Sequence, residues 1–245
     1  MVADPYADLA ARYDAAWPAP PAELFDLLRA AGVAPDARVL DVGAGTGLAS
    51  APLARAGARV TAVDPSPAML ALARTRLPGA DLVNGRAESL RFSAGAFDAA
   101  VSGDAFHCFE QTAAMAELTR VVRTGGTLAI WWRTLSTEGD MPGHRAAATH
   151  DLGFDPVPEP MRGGFRAFYA APLAERAVRT VASAVRTTVD GWIAIESARE
   201  EVRAAYGERA TAWIDALRAR LLAAYGAPDA PLAVRTLHYV YFGRV

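Results

Sequence analysis

From residue 37 onward the chain alternates in a regular rhythm: a short apolar run, a turn carrying Gly or Asp, then a longer helical stretch. Residues 38–42, 59–63, 80–84, 97–102 and 126–132 read as strands, with helices at 47–56, 67–77 and 111–122 between them. The strands are nearly unbroken Val, Leu, Ala and Ile, without the polar alternation of a half-exposed strand, so both of their faces should be buried. Such strands separated by helices predict a parallel sheet covered on both sides, the α/β doubly wound class. Upstream, residues 21–31 place Leu24, Leu27, Leu28 and Ala31 on one face of an amphipathic helix.

After Arg133 the rhythm breaks, and the Gly- and Pro-rich residues 134–171 predict loop mixed with short helix. Patterning returns with a strand at 178–189, then a helix N-capped by Asp190 and running to about Tyr206. A second helix at 208–225 carries Trp213 and Leu217 on its apolar face, and a last strand follows at 232–242. The late pair brings the expected sheet to seven strands, mostly parallel with a C-terminal antiparallel strand. At 245 residues the chain suits one domain, 1–245. Its expected parts are a ligand-binding core at 33–133, a pocket-forming insertion at 134–180, and C-terminal strands and helices at 181–245.

Composition acts mainly by exclusion. A formal net charge of −2 with scattered Arg leaves no electrostatic footprint for a nucleic-acid backbone. Cys108 is the sole cysteine, so neither an intrachain disulfide nor a Cys-rich zinc site can form, and a reducing cytoplasm is the expected location. Residues 1–14 lack the basic start and apolar run of a signal peptide. No stretch approaches the roughly 20 apolar residues of a membrane span, so a soluble protein is expected.

The strongest local signal is Val39-Leu40-Asp41-Val42-Gly43-Ala44-Gly45-Thr46-Gly47, a buried strand entering a Gly-rich turn and then a helix. Glycines there let the backbone approach a ligand. A dinucleotide fingerprint would need a third glycine where Leu48 stands, so the spacing is G-x-G-x-G. Asp41 would repel a pyrophosphate but suits a ligand bearing an ammonium group. Asp64, at the end of the second strand, stands where an acid accepts both hydroxyls of a ribose; its alternative is a helix cap, shared with Ser66.

These residues resemble the class I S-adenosylmethionine-dependent methyltransferases. The resemblance runs from about Tyr13 to Arg133 and is carried by 41–47, by Val63-Asp64-Pro65-Ser66-Pro67-Ala68-Met69-Leu70, by Gly85-Arg86-Ala87-Glu88-Ser89-Leu90, and by 120–128. It implies a Rossmann-like fold with S-adenosylmethionine as cofactor. Gly43, Ala44, Gly45 and Gly47 would hold the methionine end, and Asp64 with Pro65 the ribose. Met69 would pack on the adenine, or simply in the core, and Ala87 and Glu88 would reach the adenine edge. Ser102 and Tyr13 complete the implied cofactor set, Tyr13 with Tyr6 and Trp17 as a lid or as an aromatic seam. Arg86 stands where many relatives have an acid, and Thr124 where a Pro usually precedes the paired glycines.

Methyl transfer is an in-line displacement that needs alignment and, for a protonated acceptor, a base. The residues after the fourth strand face the reacting centre in this fold. Among them His107 is the candidate base, with packing under the cofactor as its alternative. Asp104 is the second candidate, with helix capping or cofactor contact as its alternative. It has no second acid nearby, so no metal site is expected. Cys108 reads as a small buried hydrophobe. The turn Ser102-Gly103-Asp104-Ala105 replaces the Asn-Pro-Pro-aromatic turn of base-modifying enzymes, a second argument against nucleic acid. Phe106-His107-Cys108-Phe109 and Trp131-Trp132-Arg133 are similar to the type-11, trans-aconitate-methyltransferase-like branch. That similarity implies a small-molecule acceptor with an O, N or C nucleophile, acidic or from secondary metabolism.

Arg133, Arg162 and Arg166 would then clamp its carboxylate, unless they are solvated surface residues. A monomer or homodimer is expected. The competing class is a cofactor-binding protein that no longer transfers methyl; a nicotinamide dehydrogenase is disfavoured by Leu48 and the absence of a Tyr-x-x-x-Lys pair.

Overall fold

A computed structural model describes residues 9–156 and 165–245. The predicted strands appear in order as β1 (Arg38–Val42), β2 (Arg59–Asp64), β3 (Asp81–Asn84), β4 (Phe97–Gly103) and β5 (Val122–Leu135). Between and before them lie α1 (Ala10–Ala16), α2 (Ala22–Ala30), α3 (Ser50–Arg55), α4 (Pro67–Arg76) and α5 (Gln111–Val121). The remainder forms α6 (Met141–Asp151), α7 (Arg166–Ala170), β6 (Ala174–Thr188), α8 (Val189–Ser197), α9 (Glu200–Tyr206), α10 (Ala210–Tyr225) and β7 (Pro231–Arg244).

Among the described residues the sheet has seven strands in the order β3-β2-β1-β4-β5-β7-β6. The first five are parallel, and β7 runs antiparallel to both β5 and β6. The period of two in a strand sorts its side chains between the faces. On one face Val39, Ala129 and Trp131 join Leu24, Phe25 and Leu28 of α2. On the other, Leu40, Val42, Ile130 and Trp132 join Met115 and Leu118 of α5. This is why the central strands carry no polar alternation. Trp192, Trp213 and Leu217 build a separate cluster in which α6, α8, α9 and α10 cover the start of β7. No helix among the described residues is long and apolar enough to cross a membrane.

The differences from the sequence reading are local. The fifth strand extends to Leu135, because β7 offers it a ladder partner as far as Thr236. The region read as loop and short helix holds the eleven-residue α6. The helix expected from Asp190 to Tyr206 breaks at Ala198, and Arg199 is extended (φ −76°, ψ 122°) before α9 begins.

Asp190 is not its cap. Thr188 takes that role, its hydroxyl accepting from Gly191 N at 3.1 Å, while Asp190 sits in the first turn and pairs with Arg218. Thr188→Ala should therefore cost about 1 kcal/mol. Asp190→Ala, which removes an exposed ion pair, should cost less than about half of that. Urea denaturation of both variants separates the roles.

Candidate active site

The loops at the carboxyl ends of β1, β4 and β5 open into one cavity, roofed by Tyr13, Trp17, Pro18 and Pro20 and walled on the far side by α8 and α9. The glycine turn forms its near wall. Gly45 has φ +55° and a Cβ built on it would meet nothing within 4 Å, so the chain there opens onto empty space. At Gly43 a Cβ would lie 2.5 Å from Ala105 Cβ and 2.9 Å from Phe109 Cζ, so only glycine lets the β1 turn and the β4 loop touch. Gly47 is different: it does not line the cavity, and its missing Cβ makes room for Leu77 of α4 at 2.9 Å.

Asp64 ties this wall together. Its Oδ2 accepts from Gly45 N at 2.8 Å and its Oδ1 from Ser66 N at 2.8 Å, which leaves Ser66 to cap α4 by accepting from Met69 N at 3.1 Å. The acid thus faces the cavity, and capping belongs to its neighbour. Pro65 and Met69 line the cavity beside it. Asp41, 1% exposed, accepts from Ser50 Oγ at 2.5 Å, and its Oδ1 is buried without a hydrogen-bond partner. Burial, opposed by the Ser50 hydrogen bond and reinforced by Asp64, pushes Asp41 up to about 7.

The remaining cofactor expectations divide. Ala44 lines the cavity, while Ala87 lies in the core beneath it. Glu88 is spent on Glu110 N (2.9 Å) and Arg86 (3.4 Å) and does not reach the cavity lining. Ser102 is buried at the end of β4 with no hydrogen-bond partner for its hydroxyl. Tyr13 stacks on Trp17 (centroids 5.0 Å apart) in the roof; burial, then Asp104 nearby, raises its phenol above the ordinary range.

The described members of the expected arginine clamp do not converge on the cavity. Arg162 and Tyr6 lie outside the described residues, and Arg166 is exposed on α7, away from the cavity lining. Arg133 does line it, but its guanidinium is engaged: Nη2 donates to the Pro18 carbonyl (2.8 Å) and stands 3.5 Å from Asp104 Oδ2, and Nε donates to His238 Nε2 (3.1 Å). Burial, with Arg133 alongside, brings His238 down to about 4, so it is neutral and able to accept. The guanidinium also lies over the Trp17 ring at 5.4 Å. Asp104 is occupied in turn, since its Oδ1 accepts from Arg133 N at 2.7 Å. Arg133 and Asp104 therefore fasten the roof, and Asp104 is not placed as a base.

His107 lines the cavity between the cofactor wall and the aromatic wall, edge-on to Trp132 with centroids 4.4 Å apart. Its Nε2 lies 3.2 Å from Cys108 Sγ, and Cys108 is exposed on the cavity side where the sequence suggested a buried residue. Glu201 Oε1 stands 3.9 Å from the same nitrogen. Sequence reasoning missed Glu201, Arg199, Trp192, Val185 and Thr236, all of which line the cavity. The available signal was the charged run Arg199-Glu200-Glu201 interrupting an apolar helix. Of the described residues in 134–180, Thr134 and Leu135 reach the cavity, and the rest of that wall comes from 181–245.

Residues 40–130 match the protein family described as Methyltransferase domain. Over 93% of this chain and 97% of the other, the fold matches a protein of Anaeromyxobacter dehalogenans assigned as a type II methyltransferase, with a TM-score of 0.73 and 27% identity. Residues 40–130 thus carry a methyltransferase domain, in a fold shared with that methyltransferase over nearly the whole chain. An uncharacterized methyltransferase of Mycobacterium bovis is 38% identical over 122 residues, 50% of this chain and 49% of that protein. A demethylmenaquinone methyltransferase of Renibacterium salmoninarum is 42% identical over 102 residues, 41% and 43% of the two chains. The chain thus spans about half the length, or less, of these curated relatives in its alignments.

The methyltransferase domain fits its cofactor, S-adenosylmethionine, on three observations: the open space at Gly45, the Asp64 carboxylate on the cavity wall, and the unpartnered buried oxygen of Asp41. A cation beside Asp41 offsets the cost of ionising that buried acid.

Proposed function

We propose that the protein transfers a methyl group to a hydroxyl or amine of a small, largely uncharged aromatic acceptor, with His107 as the base. The observation that carries this reading is that His107 shares one cavity with Gly45 and Asp64, against a wall of Trp17, Phe109, Trp131, Trp132 and Trp192. Among the described residues the cavity's arginines are already matched by acids, Arg133 by Asp104 and Arg199 by Glu196 and Glu201, which argues against a carboxylate acceptor. A net charge of −2 supports a metabolite over nucleic acid. With a lone cysteine, it fits a reducing cytoplasm.

Bound S-adenosylmethionine supplies an electrophilic methyl on a sulfonium. The acceptor's lone pair forms the new bond to carbon, the carbon–sulfur bond breaks with its electrons left on sulfur, and the acceptor proton passes to His107 Nε2. Asp64 and the Gly45 turn hold the cofactor, the aromatic wall orients the acceptor, and the Tyr13–Trp17 roof excludes water.

Purified protein with methyl-labelled cofactor should label phenols or aryl amines in preference to short carboxylates. Preference for carboxylates would overturn the acceptor class, and binding without transfer to any of a broad panel would favour a cofactor-binding protein. His107→Ala should lower kcat by about 10²–10⁴-fold with cofactor Kd nearly unchanged. Intact turnover in the variant would remove His107 from the mechanism.

A further inference from the structure

The break between α8 and α9 brings a second ionisable side chain to the candidate base. In an uninterrupted helix Ile195 and Glu201, six residues apart, would point about 120° away from each other around the axis. The extended Arg199 resets the direction of the chain, and Ile195, Ala198, Arg199 and Glu201 all line the same space. Glu201 Oε1 lies 3.9 Å from His107 Nε2, with both side chains largely buried, at 16% and 15% exposed. The other carboxylate oxygen, Oε2, lies 3.7 Å from Arg199 Nε. Behind Arg199 stands Glu196, fully buried, 4.0 Å from Arg199 Nε and 3.1 Å from Arg145 Nε. Charges therefore alternate in sign from α6 to the cavity: Arg145, Glu196, Arg199, Glu201, then His107.

Resting on the methyl-transfer reading, we propose that Glu201 is a positioning residue that acts through His107, its carboxylate, paired with Arg199 on its other side, stabilising the imidazolium formed when the acceptor's proton arrives. At 3.9 Å the contact is an ion-pair distance and not a hydrogen bond, so Glu201 acts on the imidazole through its charge. The field is nonetheless strong, because an opposite charge at this distance inside a protein favours the charged imidazole. Other groups facing the cavity are Arg199 beside Glu201, Asp104 and Arg133 from the ends of β4 and β5, Tyr13 of α1, Cys108 next to His107, and Asp41 and Asp64 across it. Asp104 and Arg133 pair with each other, and Arg199 is shared between Glu196 and Glu201, which leaves Glu201 as the carboxylate that pairs with His107.

The test is a proton NMR titration of the His107 imidazole, assigned by its loss in His107→Asn, in wild type, Glu201→Gln and Glu201→Asp. Glu201→Gln keeps the side-chain shape and should lower the titration midpoint by about one pH unit, while Glu201→Asp should restore most of it. A midpoint that does not move in folded Glu201→Gln would overturn the proposal. So would an equal drop in Glu201→Asp, since that would mark lost packing in place of lost charge. Should Glu201→Gln fail to fold, a wild-type midpoint in folded Glu201→Ala would overturn the proposal equally. The titration requires no turnover, so absence of methyl transfer in the labelling assay would count against the parent reading alone. With a working acceptor, Glu201→Gln should lower kcat about tenfold and leave KM unchanged.

Discussion

Asp64→Ala is expected to raise the dissociation constant for S-adenosylhomocysteine about 100-fold, close to 3 kcal/mol, while the protein stays folded. The size follows from two losses at once. The carboxylate receives the Gly45 and Ser66 amides at 2.8 Å each, so its removal frees the turn that forms the cofactor wall. It also removes the acceptor facing the ribose position. Because Ser66 caps α4 on its own, the helix retains its first turn. Calorimetric titration together with a thermal melt decides the matter: a large drop in melting temperature with unchanged affinity would return Asp64 to a structural role.

The second large effect is on pH. Asp41 is raised to about 7 by burial, so in the unliganded protein it holds its proton across a range in which the unfolded chain has lost it. Its contribution to stability is fully present below the unfolded value near 3.8 and is lost as pH rises through about 7. The ammonium- and sulfonium-bearing cofactor reverses the preference, favouring ionised Asp41 and releasing a proton on binding. Affinity for S-adenosylmethionine should therefore rise up to tenfold per pH unit below about 7, making binding at pH 5 about 50-fold weaker than at pH 7. Above pH 7 it should level off until the ligand's own ammonium begins to deprotonate. Asp41→Asn should bind more weakly and lose most of this slope; the same steep slope in the variant would assign the proton to another group.

The sequence was legible where a short segment carries its own physical reason. Strands buried on both faces must be apolar, so β1, β2, β4 and the centre of β5 could be read from composition, whereas β3, with no buried residue, followed only from the alternating rhythm; the turn after β1 declared itself through its glycines, of which Gly45 opens onto the cavity. Asp64, Met69 and His107, singled out by their places after strands and by resemblance, all lie on the cavity lining. Sequence reading failed where partners are distant in sequence. Arg133 looked like a substrate clamp because nothing nearby reveals that Asp104, His238 and Pro18 converge on it from other elements. Gly47 belonged to the pattern, but its reason is Leu77 at the end of α4. Glu201 was missed because the charged run 199–201 reads as a solvated stretch of one long helix, and the helix break at Ala198–Arg199 is not visible in it.

The placement of β7 bears on how the chain is made. It is the last strand of the sheet to be synthesised, yet it lies between β5 and β6. About a hundred residues separate the end of β5 from the start of β7, so at ribosomal rates of about 5–20 residues per second the apolar edge of β5 stays unpaired for roughly 5–20 s. Over that interval β6 has no ladder to join either, so both strand edges stand open to pairing with other chains. The cofactor wall, built from β1, β2 and their loops, can form while still tethered to the ribosome. The acceptor wall, which needs Val185 and Thr236 of the final hairpin, comes into being only after residue 236 has emerged.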